Sequence, residues 1–383
     1  MKRINKLIIF LGLTIALTAC SGNVNKQAST ETRDIPADTK KTEVSEEQEL
    51  DENSDTVEIE DMNGRIVKIP KPENIKKVYY LNPAGEIMIY TINPQLMAGL
   101  NHELKENELK YLKEAKDLEV LGTYGHADAD VNPETFIDAG VQVFFYTNLG
   151  NLDEENANKA DELQKDINVP VVVLDTSFEN RSETYRFLGK VLGEEERANE
   201  LAQYTESAFK EITDVSLNIP DEEKVSIYYA EGPEGLATEP EKSFHAAVFK
   251  YAGAKNVADV ELTPVKGMTP VSLEQILNWN PQYIFMRSGK KSPYNVITTN
   301  PGWSNIDAVK NDNVYEVPSL PNSWIDRPPS SQQSLGIKYV AKILYPEKFN
   351  YDLVEETQSF YKLFYNYEMS EEEAIEILGR INE

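Results

Sequence analysis

With 383 residues and a formal charge of −27, the chain is long for one small core, and its acidity repels a phosphate backbone, which speaks against a nucleic-acid partner. Its single cysteine excludes an internal disulfide framework and any metal cluster built on cysteines.

The first residues point to export. Lys2, Arg3 and Lys6 precede an apolar run over residues 7–17, broken only by Gly12 and Thr14. Such a run is short for a permanent bilayer span and suits the hydrophobic region of a secretory signal. It ends in Leu17-Thr18-Ala19-Cys20, which resembles the bacterial lipobox. The resemblance implies a signal peptide over residues 1–19, cleavage before Cys20, and a diacylglycerol on its thiol. The mature chain is then extracytoplasmic and held to the cell membrane by lipid alone. Residues 20–55 read as a tether: ten acids, four bases and almost no large apolar side chains fall in 21–55, too little to offset ordering entropy.

Folded patterning starts at Val57-Glu58-Ile59-Glu60, where alternation predicts a strand; Asn63-Gly64 predicts a turn and Ile66-Val67-Lys68-Ile69 a second strand. Apolar strands alternating with helical patterns follow, at Lys77–Leu81, Val141–Phe145 and Val169–Leu174. That order predicts an α/β fold of mainly parallel, buried strands. Two stretches repeat: Glu134-Thr135-Phe136-Ile137 leads in twelve residues to Tyr146, and Glu274-Gln275-Ile276-Leu277 leads in twelve to Met286, with Gln142 and Gln282 at matching positions. The repeat predicts two lobes of related build, at 56–193 and 217–383. Between them, Ala198, Leu201, Ala202, Thr205, Ala208, Phe209, Ile212 and Val215 form a helical stripe, so residues 194–216 are expected as one long connecting helix. A stiff connector predicts small closure on binding.

On Asn132-Pro133-Glu134, Val271-Ser272-Leu273-Glu274-Gln275-Ile276-Leu277, Asn300-Pro301-Gly302-Trp303 and Ala308–Tyr315, the chain resembles the iron-siderophore and vitamin B12 group of ABC-importer binding proteins over about residues 57–380. The resemblance implies two mainly parallel lobes joined by a single long helix, the class III periplasmic-binding-protein type. It implies a monomer that carries a small molecule, a ferric chelate of siderophore type by first expectation, to a cognate ABC permease dimer. A corrinoid, haem or an oxyanion of molybdenum or tungsten are the alternatives, the last suggested by the Trp324–Ser330 segment. By the same resemblance Glu134 and Glu274 dock to permease arginines, although either acid alone would also suit a helix start.

In open α/β sheets, ligands gather beyond the carboxyl ends of strands. That rule nominates Asn82, Tyr146, Ser177 and Phe178, Tyr229 and Glu231, Arg287, and the loop Trp324–Arg327, with Tyr124 and His126 in a nearby loop. Arginine suits anions through its planar fork, but Asp326 offers Arg327 a structural partner. His102, His126 and His245 are the whole histidine supply, too few for a conventional zinc or manganese site. Haem ligation by His245 with Met268 or His126 stays open. No Gly-x-Ser-x-Gly, His-Glu-x-x-His or phosphate loop occurs. A non-enzyme is therefore expected, with no cofactor; an extracellular hydrolase and an adhesin are the outside readings.

Overall fold

The alternation at residues 57–69 folds as a hairpin, with β1 (Thr56–Glu60) and β2 (Ile66–Pro70) antiparallel and Gly64 at φ +79° between them. The structure is a computed structural model and describes residues 54–124, 131–150, 152–262 and 267–382. Residues 53–383 cluster as one unit.

Short apolar runs then build two parallel sheets, since strands covered on both faces need no polar alternation. The first holds β3 (Val78–Tyr80), β4 (Val143–Asn148) and β5 (Val171–Asp175), in that order. Helices α1 (Pro83–Ile92), α2 (Glu106–Leu109) and α3 (Glu134–Asp138) connect β3 to β4, and α4 (Glu154–Ile167) connects β4 to β5. Two consecutive helices, α5 (Arg181–Leu192) and α6 (Glu195–Ser216), lead to the second half. There the strands are β6 (Ser226–Tyr229), β7 (Ala237–Thr238), β8 (Lys255–Asn256), β9 (Thr269–Pro270), β10 (Tyr283–Arg287) and β11 (Val314–Val317). The sheet order is β11-β10-β6-β8, all parallel, with β7 and β9 as a separate antiparallel pair. Between these strands lie α7 (Ala247–Tyr251), α8 (Leu273–Trp279), α9 (Tyr294–Thr299) and α10 (Asp307–Lys310). The chain ends in α11 (Gln333–Leu344), α12 (Leu353–Tyr365) and α13 (Glu371–Leu378).

Helix α6 has 22 residues, a rod of about 33 Å. Ala198, Leu201, Ala202, Thr205, Ala208 and Ile212 are its buried stripe. Lys338 of α11, itself buried, bridges Glu211 of α6 at 2.8 Å and Glu356 of α12 at 2.9 Å. One apolar core runs from the first sheet past α5, α6, α11 and α12 to one face of the second sheet. Strand alternation splits the second sheet: Tyr229 and Phe285 join this core, while Tyr228, Ile284 and Met286 join a separate cluster with Ile276, Trp303 and Ile306. Gly336 in α11 allows that helix to pass the Trp324 carbonyl, because a Cβ there would lie 1.8 Å from its oxygen.

The repeat read in the sequence is also a repeat of contacts. Gln142 accepts from the N–H groups of Lys76 (2.6 Å) and Lys77 (3.1 Å), pinning the start of β3; Gln282 accepts from the Ser226 N–H at 2.9 Å, pinning the start of β6. Each short helix before them ends in a left-handed residue, Gly140 at φ +76° and Asn280 at φ +44°. Phe136 and Ile276 are the buried residue of each helix.

Candidate functional site

Loops at the carboxyl ends of the strands meet between the two sheets and line a half-open cavity of about 250 Å³. From the first half come Leu149 and Gly150 after β4, and Ser177, Phe178 and Glu179 after β5. Glu241, Lys242, Ser243 and Phe244, then Lys250 and Tyr251, come from the second half, with Pro329 and Gln333 from the segment leading into α11.

Local hydrogen bonding sets these groups. Asp175, the last residue of β5, accepts from the Ser177 N–H (2.9 Å) and from Asn180 Nδ2 (2.6 Å), which folds the loop back on itself. The Ser177 hydroxyl is then left buried and without a partner among the described residues. Gln333 Nε2 donates to the Ile325 carbonyl at 2.7 Å, leaving Oε1 buried and equally without a partner. Both groups line the cavity and are placed to bond a solute. Lys242 and Lys250 stand exposed at the rim beside Glu179 and Glu241. Burial and then the neighbouring Glu179 carboxylate push the Tyr251 hydroxyl up to about 12.

Behind this wall lies Arg181, which is 1 % exposed and has no carboxylate partner among the described residues. Its guanidinium donates to the Thr176 carbonyl at 2.9 Å and to the Ser330 carbonyl, and stacks 5.6 Å from the Phe178 ring centroid. Thr176 and Ser330 are chain neighbours of the lining residues Ser177 and Pro329. Burial lowers the guanidinium to about 10, so it stays charged at neutral pH, a fixed cation one residue behind the cavity.

A second polar cluster sits beside the cavity in the C-terminal half, and it corrects the expectation for Arg327. That guanidinium donates from Nε to Glu231 Oε1 (2.8 Å) and from an Nη to Glu239 Oε1 (2.6 Å), with Asp326 Oδ2 at 3.3 Å. Its charge is therefore spent on three buried carboxylates. Burial pushes the Glu231 carboxyl upward despite Arg327. Ser243 donates to Glu239 at 2.7 Å, and His245 Nδ1 lies 2.7 Å from Asp326 Oδ2. Among the described residues, no group of three or more His, Cys, Asp or Glu is placed to hold a metal.

The other nominated residues are similarly committed. Asn82 caps α1, accepting from the Ala84 N–H at 3.1 Å. Tyr124 donates to Asp166 at 3.2 Å, in the last turn of α4 and hence at the opposite edge of the sheet. Tyr146 faces α4: burial raises its hydroxyl, and Lys159, Asp153 and Glu155 are the charges nearest it. Tyr229 and Trp324 are fully buried, the indole edge-on to Tyr339 at 5.8 Å. Arg287 donates to the Arg327 carbonyl at 3.2 Å. None of these lines the cavity, whereas Ser177 and Phe178 do. His126 and Cys20 lie outside the described residues. Glu134 and Glu274 are exposed in the first turns of α3 and α8, and neither lines the cavity. Lys242, Lys250 and Gln333 were missed, since no motif or strand end marks them.

Known proteins resemble the chain along most of its length. A family described as "Periplasmic binding protein" matches residues 123–321. The molybdate-binding protein MolA of Haemophilus influenzae is 25% identical over 329 residues, 80% of this chain and 90% of the relative. An uncharacterized ABC transporter substrate-binding lipoprotein of Bacillus subtilis, YvrC, is 26% identical over 302 residues, 76% of this chain and 87% of the relative. Among solved structures, an ABC transporter solute binding protein from Sulfurospirillum deleyianum is 31% identical with a TM-score of 0.75, covering 84% of this chain and 98% of the other.

Proposed function

The chain belongs to the periplasmic binding protein family, and from that premise we propose that it is the extracytoplasmic, lipid-anchored solute-binding component of an ABC importer, and that its solute is a small oxyanion. The observation that carries the solute class is the cavity. At about 250 Å³ it falls below the roughly 300–1,000 Å³ of drug-sized pockets. A corrinoid, a haem or a ferric chelate of siderophore type would fill it and extend through its open mouth into solvent. A tetrahedral oxyanion fits, with the Ser177 hydroxyl and the Lys242 and Lys250 ammonium groups as donors and Arg181 as background charge. Gln333 Oε1 would accept from a protonated or hydrated solute oxygen. The molybdate-binding relative agrees with this class.

The ferric chelate is the second reading, favoured by Phe244, a large apolar side chain 42% exposed on the rim, on which a protruding ligand would rest. In either case Glu134 and Glu274 are the docking acids, one on each half, for a two-fold permease. Calorimetric titration of the purified protein with molybdate and, separately, with a ferric trihydroxamate decides between them. Saturable binding of molybdate alone is expected. Binding of the chelate alone would overturn the oxyanion reading and leave the importer role standing.

A further inference from the structure

Helix α13 comes last in the chain, after both sheets are complete, and its two ends hold different halves of the molecule. At its start Glu373 is fastened to the first half. Its Oε1 accepts from the Tyr111 hydroxyl at 2.8 Å and from the Lys110 ammonium at 2.8 Å, both in the segment between α2 and α3. Its Oε2 accepts from the Tyr367 hydroxyl at 2.8 Å, and the Tyr367 ring packs edge-on to Tyr111 at 4.9 Å. Two residues past the other end of α13, Arg380 is fastened to the second half. Its guanidinium donates to the Tyr294 hydroxyl of α9 (3.2 Å), to the Asp312 carboxylate (3.0 Å) and to the Asp312 carbonyl (3.1 Å). It also lies 5.8 Å from the ring centroid of Tyr315 in β11. Between the two ends, Ala374 and Leu378 are buried in the main core, which fixes the position of the helix.

The covalent link between the halves runs through α6. A second attachment removes rocking freedom that one joint leaves to two bodies. We propose that α13 is a strap: held to the first half by Glu373 and to the second by Arg380, it limits how far the halves part and so how widely the cavity between them opens. Neither residue lines that cavity, so the strap acts on its opening and not on contacts with a solute, whatever the solute is.

A strap holds only while both ends hold. Cutting either end releases it, and the second cut adds nothing; two unconnected surface contacts would instead give effects that multiply. The side chains of Glu373 and Arg380 are 16% and 35% exposed, so each end is a modest attachment. Ser177→Cys in the Cys20→Ala background puts the one thiol of the chain in the cavity wall. Its rate of reaction with a maleimide then reports how often the cavity opens. Glu373→Ala and Arg380→Ala are each expected to raise that rate about three- to fivefold, and the double variant no further. General loss of stability would also speed labelling, so a second measurement reads geometry: spin labels on cysteines at Lys165 of α4 and Asn278 of α8, both exposed, report the distance between the halves by pulsed electron resonance. That distance distribution should broaden in either single variant and equally in the double. Labelling rates that multiply in the double variant, faster labelling with an unchanged distance distribution, or no change in either variant would each overturn the strap.

Discussion

Replacing Arg327 by Gln separates a structural arginine from a ligand-binding one. Glu231, Glu239 and Asp326 contact the guanidinium at 2.6–3.3 Å, and their side chains are between 0% and 3% exposed. Removing the cation strands carboxylates that water cannot reach, and breaking a buried pair in this way costs about 3–5 kcal/mol. Protonation relieves part of that loss. With the cation gone, the folded chain holds protons that the unfolded chain has released, so the variant regains stability as pH falls. Urea unfolding at pH 8 and pH 5 should therefore show a deficit of about 3–5 kcal/mol that narrows at the lower pH. Arg327→Lys, which keeps the charge and loses the fork, should recover part of it. Solute affinity per folded molecule should stay within about twofold, a free-energy change below about 0.5 kcal/mol. A loss below about 1 kcal/mol together with abolished binding would show that the arginine serves the ligand, and the assignment would fail.

Glu86, in the first turn of α1, supplies a pH-dependent prediction. Burial pushes its carboxyl from 4.5 up to about 7, opposed by the Asn101 N–H that donates to it at 2.6 Å. The folded chain thus keeps a proton between these values, and this contribution is complete below about pH 4.5 and lost as pH rises through 7. Glu86→Gln carries no such titration, so its stability relative to wild type should improve by about 3 kcal/mol between pH 4.5 and pH 8; a pH-independent difference in denaturant midpoints would contradict this. For the anchor, Cys20→Ala should move the protein from the membrane fraction to the soluble one in cells labelled with palmitate. Continued labelled partitioning with detergent-soluble proteins would refute the lipobox.

Much of the fold was legible because it follows from periodicity and turn chemistry. Asn63-Gly64 between two alternating runs became the β1–β2 hairpin, and the buried runs became parallel strands. The repeat was visible because Gln142 and Gln282 do the same job, each pinning the preceding strand. The site was less legible. The strand-end rule points to the edge where the cavity lies, and Ser177 and Phe178 line it. It could not say which side chains there were already engaged: Asn82 in capping, Arg327 in its carboxylates, Trp324 in the core. Gln333 lies in the polar run Ser330-Ser331-Gln332-Gln333-Ser334, which composition assigns to the surface and the structure buries entirely. That reversal depends on α5 and α6 packing over the run, with Arg181 and Tyr185 bonding Ser330 and Ser331, contacts no local pattern encodes.

The central claim is that a small oxyanion binds between the halves, against Ser177 and Gln333. Tungstate locates it directly, because its anomalous scattering marks one atom in a crystal soaked or grown with the ion. A single tungsten peak inside the cavity, within hydrogen-bond reach of Ser177 Oγ and lost in Ser177→Ala crystals, is the result predicted. A peak elsewhere on the molecule, or none at saturating tungstate, would contradict it.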